Sequence, residues 1–472
     1  MRKTKIICTL GPASDNEHII EQLFKNGMNG ARLNFSHGSH EEHYKRIEMF
    51  KNIRRCLNLP VPLILDTKGP EIRIGKFKHN KITLEKGDYF MLTADDIIGD
   101  EKACSFSYKD LYKHVKKDDK ILINDGLVEL IVDKIINSNI YCKVVNGGAL
   151  YDRKSMHVPG ACIKLPLLTH QDVEDIKFGI ENEFDYIAIS FVRTVSDILE
   201  VRKLLENNGG NGIKIIAKVE SQEGINNFDE ILHSADGIMI ARGDLGVEIS
   251  AEEVPILQKN IIQKCYTAGK PVITATHMLE SMIWNSRPTR AEVSDVANAV
   301  YDSSSSVMLS GETASGKHPV ESLKTMARIL ERAEVSIDYR QRFNSVDYNM
   351  LPNVTNAISH ATCTTANDLN ASAIITVTKT GYTAGMISRF RPFCPIIACT
   401  MCERVQRQLS LSWGVFPILM TKKQTTDEIF DSAVKEAQST GIIKSGDLVV
   451  ITAGVPVNES GTTNILKAQL IK

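Results

Sequence analysis

The chain is poor in the features that mark membrane, secreted and nucleic-acid-binding proteins. It has two tryptophans among 472 residues, and aromatics make up only 6% of it. Aromatic stacking platforms for single-stranded nucleic acid are therefore unexpected. Its formal net charge is −1, so no bulk field draws it to nucleic acid or to an anionic membrane. No apolar run approaches the roughly 20 residues that span a bilayer. The N-terminal MRKTKIICTLGP lacks a signal-peptide apolar core and reads as a strand. The ten cysteines are scattered, and Cys399 and Cys402 form a CxxC with no second pair. That argues against a zinc site and for a reducing, cytoplasmic compartment.

What is present is a repeated strand-then-helix grammar. Apolar, β-branched runs begin near Ile6, Gly30, Leu63, Tyr186, Ile213, Gly237, Pro271 and Ser306. All but the third lead into helical periodicity. Ser14 with Glu17, Ser39 with Glu42 and Thr289 with Glu292 read as capping boxes. About eight such units predict a (β/α)8 barrel, with its chemistry at the C-terminal strand ends. The pattern assigns residues 1–69 and 160–340 to that barrel.

Residues 70–159 interrupt it with alternating strands and turns, an inserted all-β barrel domain able to act as a lid. Its charges of both signs and sparse aromatics argue against a nucleic-acid module. Residues 352–472 read as a separate C-terminal α/β domain, joined through a polar linker from Tyr339 to Pro352.

The strand ends are polar: Arg32 with Asn34, Asp66, Ser190, Lys218 with Glu220, Asp244, Thr276 and Glu312. Lys218 and Glu220 are two apart on a strand and face one way. Glu220 and Asp244 at neighbouring strand ends form a hard oxygen site suited to Mg²⁺, and a lysine beside that ion can stabilise an oxyanion. A structural ion pair with a polar loop is the alternative reading of this triad taken alone. The GETASGK run, Gly311 to Lys317, fits a P-loop only until His318, where Ser or Thr is needed. In Thr378-Lys379-Thr380-Gly381-Tyr382-Thr383, hydroxyls and a lysine at a strand-to-helix turn suit a phosphate or an ordinary cap. The Gly461 to Asn464 loop is placed to close over it. His37, His277 and His360 have no partners that suggest a metal.

Longer motifs now become recognisable. ARLNFSHG (31–38), LDTKGPEIR (65–73), IIAKVESQEG (215–224), GIMIARGDLGVE (237–248), TATHMLESM (274–282), RPTRAE (287–292) and VMLSGETA (307–314) resemble pyruvate kinase, over essentially the whole chain. The resemblance implies phosphoryl transfer from phosphoenolpyruvate to ADP, giving pyruvate and ATP. It places Mg²⁺ on Glu220 and Asp244, and K⁺ on Asn34, Ser36, Asp66 and Thr67. It makes Lys218, Arg32 and Thr276 catalytic, with the Gly243 and Asp244 amides holding the substrate carboxylate. Asn34, His37, Arg73 and Lys154 match nucleotide-binding positions. Glu71, an acidic residue where lysine can replace the ion, goes with K⁺ dependence. The third domain implies a phosphorylated effector at Thr378, Lys379, Thr380, Gly381 and Thr383, a sugar phosphate being expected and a nucleotide monophosphate its rival. A homotetramer is also implied.

Three stretches depart from the family: Ser303 to Ser306 where Gly and Asp are usual, His277 where Gln is usual, and Met156-His157 near the lid hinge. Two other readings remain: a different barrel enzyme that handles an enolate on Mg²⁺, and a non-catalytic metabolite sensor.

Overall fold

The structure is a computed structural model and describes residues 1–124, 126–161, 165–345, 353–423, 425–455 and 463–472. Eight parallel strands close into a barrel: Lys5–Leu10, Gly30–Asn34, Leu63–Asp66, Tyr186–Ile189, Lys214–Val219, Gly237–Ala241, Val272–Ala275 and Ser306–Leu309. Each pairs with its neighbours in sequence, and the first meets the eighth through Lys5 opposite Ser306. Every residue of these strands except Asn34 and Lys214 is buried, because helices cover the outside and side chains fill the inside.

The interior carries its own apolar cluster: Ile7, Ile64, Tyr186, Ala188, Ile216, Met239, Ile273, Ala275 and Met308. Leu411, from the C-terminal domain, belongs to the same cluster. The barrel floor is therefore plugged by another domain. Tyr186 Oη donates to Gln408 O at 2.8 Å beside it.

Between the third and fourth barrel strands lie a six-stranded and a two-stranded sheet around a separate core that includes Phe90, Phe106 and Leu130. The chain enters this domain past Arg73 and leaves past Ser155, which bridge antiparallel. The C-terminal domain is a five-stranded sheet, ordered Val415–Leu419, Ile396–Thr400, Ala373–Val377, Leu448–Ala453, Ile465–Leu470. Only its last pairing is antiparallel. Among the described residues no helix is long and apolar enough to cross a membrane.

One local expectation fails. The helix Glu17–Lys25 is capped by Asn16, whose side chain accepts from His18 N and Ile19 N. Ser14 instead closes its own turn, accepting from Gly11 N at 2.9 Å. The stretch expected as a linker begins with the helix Tyr339–Ser345. Phe343 anchors that helix in the C-terminal core, and Lys3 Nζ lies 3.8 Å from the Tyr339 ring centroid. Residues 346–352, the rest of that linker, lie outside the described residues.

Candidate active site

The site is built from the ends of the barrel strands. Lys218, near the end of the fifth strand, is only 8% exposed. Its ammonium meets Ser190 Oγ at 2.8 Å, Glu220 Oε1 at 2.9 Å and Asp66 Oδ1 at 3.0 Å. Three donors meet three oxygens, so the head group is held in one orientation.

Asp66 is shared between two cations. Arg32 Nε contacts its other oxygen at 2.6 Å, and Arg32 Nη1 donates to Thr9 Oγ1 at 3.1 Å. Thr9 Oγ1 donates on to Leu309 O at 2.9 Å. Ser190 Oγ donates to Thr67 O at 2.6 Å. A polar network thus links the ends of the first five strands and the eighth. Burial would raise the Asp66 pKa, but Arg32 and Lys218 hold it below the usual carboxylate range. Burial would lower that of Lys218, yet Asp66 and Glu220 carry it above an ordinary lysine. Lys218 stays cationic.

Glu220 follows the fifth strand. Its Oε2 accepts from Phe191 N at 2.6 Å, and Phe191 itself sits at φ +55°. Its Oε1 is buried and takes no directed hydrogen bond beyond the ammonium contact. Burial pushes the Glu220 carboxyl upward, Lys218 opposes, and the charge of Asp244 pushes it further up. Two mutually repelling carboxylates, that of Glu220 buried, fit a divalent cation between them. No group of three or more His, Cys, Asp or Glu that could hold a metal ion occurs among the described residues. A two-carboxylate Mg²⁺ site leaves its other positions to substrate and water.

Asn34 and Asp66 are register partners on adjacent strands, and Ser36 N donates to Asn34 Oδ1 at 3.1 Å. With Thr67 they offer only oxygen donors, which suits a hard monovalent cation. His37 is exposed on the following turn. Arg73 and Lys154 lie in the adjacent segments where the chain enters and leaves the inserted domain: Ile74 N donates to Lys154 O at 3.0 Å and Arg73 Nη1 to Arg153 O at 2.7 Å. Glu71 Oε2 accepts from Arg73 Nε at 2.8 Å. His157, on the short strand Met156–His157, is buried with Nδ1 3.4 Å from Glu248 Oε1.

The sixth strand runs directly into the short helix Arg242–Glu248, which carries Gly243 and Asp244. Thr276 follows the seventh strand, and its Oγ1 accepts from Gly243 N at 2.8 Å. Thr276 and His277 sit at φ +66° and +54°. A β-branched residue there is a conformational outlier, and each such residue costs on the order of 1–3 kcal/mol that its surroundings must offset. After the eighth strand, Glu312 is buried and accepts from Leu279 N at 3.0 Å and Ser310 N at 2.7 Å. The GETASGK run therefore supplies a carboxylate that fixes loops rather than a phosphate cradle.

Three features escape a reading of the sequence: the role of Asp66 as shared counter-ion, Ser190 as third partner of Lys218, and Arg242. Arg242 carries a signal, since it lies inside the ARGDLG run. Nothing in the spacing marks Asp66 as the partner of residues 34 and 152 positions away.

The departures have local accounts. Ser303, at φ +77°, takes a left-handed position that Gly adopts without strain. Ser304 Oγ lies 2.7 Å from Thr274 Oγ1, and Ser306 Oγ donates to Leu411 O at 3.1 Å. In the C-terminal domain Thr378 Oγ1 accepts from Gly381 N at 3.0 Å, with Lys379 and Thr380 exposed. Thr383 Oγ1 lies 2.8 Å from Thr463 Oγ1, which ties the loop to the C-terminal segment. Gly461 and Thr462 lie outside the described residues.

Comparison with known proteins agrees along the whole chain. Residues 1–323 match the pyruvate kinase barrel domain and residues 356–468 the pyruvate kinase alpha/beta domain. A pyruvate kinase of Clostridium acetobutylicum is 50% identical, with both chains covered completely. One from Sporosarcina psychrophila is 48% identical over all of this chain and 81% of its own length. The crystal structure of a pyruvate kinase from Cryptosporidium parvum superposes with a TM-score of 0.94 at 40% identity, covering all of this chain and 96% of that one. The chain is a phosphotransferase and belongs to the pyruvate kinase family.

Proposed function

We propose that the enzyme transfers the phosphoryl group of phosphoenolpyruvate to ADP as the last step of glycolysis, in the cytoplasm, with Mg²⁺ and K⁺. The observation that carries this reading is the Lys218 ammonium, fixed between Asp66 and Glu220 on the rim that also bears Asp244 and Thr276. Arg32 and Lys218 grip the phosphoryl group, both already oriented by Asp66. The bridging P–O bond breaks, its electron pair stays on the enolate oxygen, and an oxygen of the ADP β-phosphate takes the phosphorus. Lys218 stabilises the charge on both fragments. The Gly243 and Asp244 amides hold the substrate carboxylate, and Thr276 orients it and relays a proton to the enolate carbon. Glu220 and Asp244 would hold Mg²⁺, which when bound screens the anionic oxygens of substrate and enolate. Asn34, Ser36, Asp66 and Thr67 would hold K⁺. Asn34, His37, Arg73 and Lys154 would hold ADP, with Lys154 brought in by closure of the lid.

Pyruvate release that requires ADP, read through lactate dehydrogenase, tests the reaction. Release without ADP would favour another enolate-forming barrel enzyme, and no turnover a sensor. Equal rates in Na⁺ and K⁺ buffers at saturating substrate would refute the role of K⁺. The loop from Thr378 to Thr383 binds a phosphorylated effector, a sugar phosphate before a nucleotide, in a homotetramer. Titrating activity with each class tests that, and no response to either removes it.

A further inference from the structure

Thr276 is held at both ends by two consecutive residues of one short helix. Gly243 N donates to its hydroxyl at 2.8 Å. Arg242 Nη2 donates to its carbonyl at 2.7 Å, and Arg242 Nε reaches the same oxygen at 3.2 Å. The far side of the guanidinium is fixed in turn. Nη1 meets Asp295 Oδ1 at 2.7 Å, and Nη2 meets Asp295 Oδ2 at 2.7 Å. Gln258 Oε1 lies 3.4 Å from Nη1. The Arg242 side chain is 11% exposed and that of Asp295 33%. Asp295 lies on the helix Arg290–Tyr301 and Gln258 on Val254–Ala268, so two outer helices brace one carbonyl at the active rim.

The braced residue needs support. Thr276 and His277 are consecutive non-glycine residues at positive φ, and relaxation of that turn would carry the Thr276 hydroxyl away from Gly243. A planar fork can hold a carboxylate on one edge and a carbonyl on the other, which an ammonium cannot do in one geometry.

We infer that Arg242 is a positioning residue for phosphoryl transfer, acting through Thr276 by clamping its strained carbonyl against Asp295. The inference rests on the reading of Thr276 as the hydroxyl that faces substrate. The side-chain hydrogen bonds of Arg242 run to Ala275, Thr276, Gln258, Met278 and Asp295, all within the protein.

The test is a double-mutant cycle on kcat at saturating phosphoenolpyruvate, ADP, Mg²⁺ and K⁺. Arg242→Lys keeps the charge and loses the fork; it should lower kcat about tenfold or more while KM for ADP stays within about twofold. In a Thr276→Ala background the same change should cost less than about twofold, because residues that act as a unit are not additive. Asp295→Asn, which leaves the guanidinium in place, should show a smaller loss that also vanishes in that background. If Arg242→Lys does not fold, the Asp295→Asn cycle decides between the same two outcomes. Losses that multiply across the cycle overturn the inference and leave the role of Thr276 standing. So does a kcat for Arg242→Lys within about twofold of the parent. A Thr276→Ala enzyme with parental kcat overturns the reading of Thr276 and the inference with it.

Discussion

Replacing Lys218 with Met removes the ammonium and keeps the length of the stem. The consequence divides into two parts. The chemical part is the loss of one preorganised donor aimed at developing charge, worth about 3–4 kcal/mol, or a hundredfold to a thousandfold in kcat. The structural part is smaller than the usual cost of breaking a buried ion pair, about 3–5 kcal/mol. Asp66 keeps Arg32, and Glu220 keeps its bond from Phe191 N. The Mg²⁺ that Glu220 and Asp244 would hold also supplies positive charge beside Glu220 once the ammonium is gone. The Lys218→Met enzyme should therefore fold, bind Mg²⁺ and phosphoenolpyruvate within about threefold of the parent by calorimetry, and turn over at least about a hundredfold more slowly in the lactate dehydrogenase assay. A kcat within about tenfold of the parent, or a loss confined to KM, would refute the assignment of Lys218 to the transition state.

Two further outcomes follow from other parts of the molecule. Burial alone would lower the His157 pKa, but Glu248 and, less strongly, Asp244 and Glu71 raise it above the usual value. A raised folded pKa means that the His157–Glu248 contact contributes fully below the unfolded value of about 6.5 and is lost as pH rises through the folded one. Glu248→Gln should move the His157 ring titration, followed by NMR, to lower pH; an unmoved midpoint would show that the pair does not form. Leu411→Ala should cost about 2–5 kcal/mol in denaturant unfolding, since it empties the barrel floor at a residue 1% exposed. A cost below about 1 kcal/mol would mean that the plug does not bear on stability.

Much of the fold is legible in the sequence, and the reason is local. Each barrel strand is a short β-branched run that ends in polar residues, so strand starts inferred near Ile6, Ile213 and Pro271 fall one residue from those at Lys5, Lys214 and Val272. Side-chain period two is enough to place Lys218 and Glu220 together. What is not legible depends on distance along the chain. Asn16 and Ser14 both offer a capping oxygen, and only the Gly11 turn decides which is used. The helix Tyr339–Ser345 is polar in composition, and its order comes from Phe343 and Tyr339 packing on residues far away in sequence. The Arg242–Asp295 clamp spans 53 positions, which no periodicity encodes. Leu411 reads as one apolar residue among many until the barrel floor closes on it.

Everything proposed for the chemistry requires Glu220 and Asp244, beside Lys218, to hold one divalent ion where the enolate forms. Anomalous diffraction from crystals soaked in Mn²⁺ locates that ion directly. The account predicts one strong peak within about 2.5 Å of a carboxylate oxygen of each residue. A peak elsewhere, with both carboxylates bare, would contradict it.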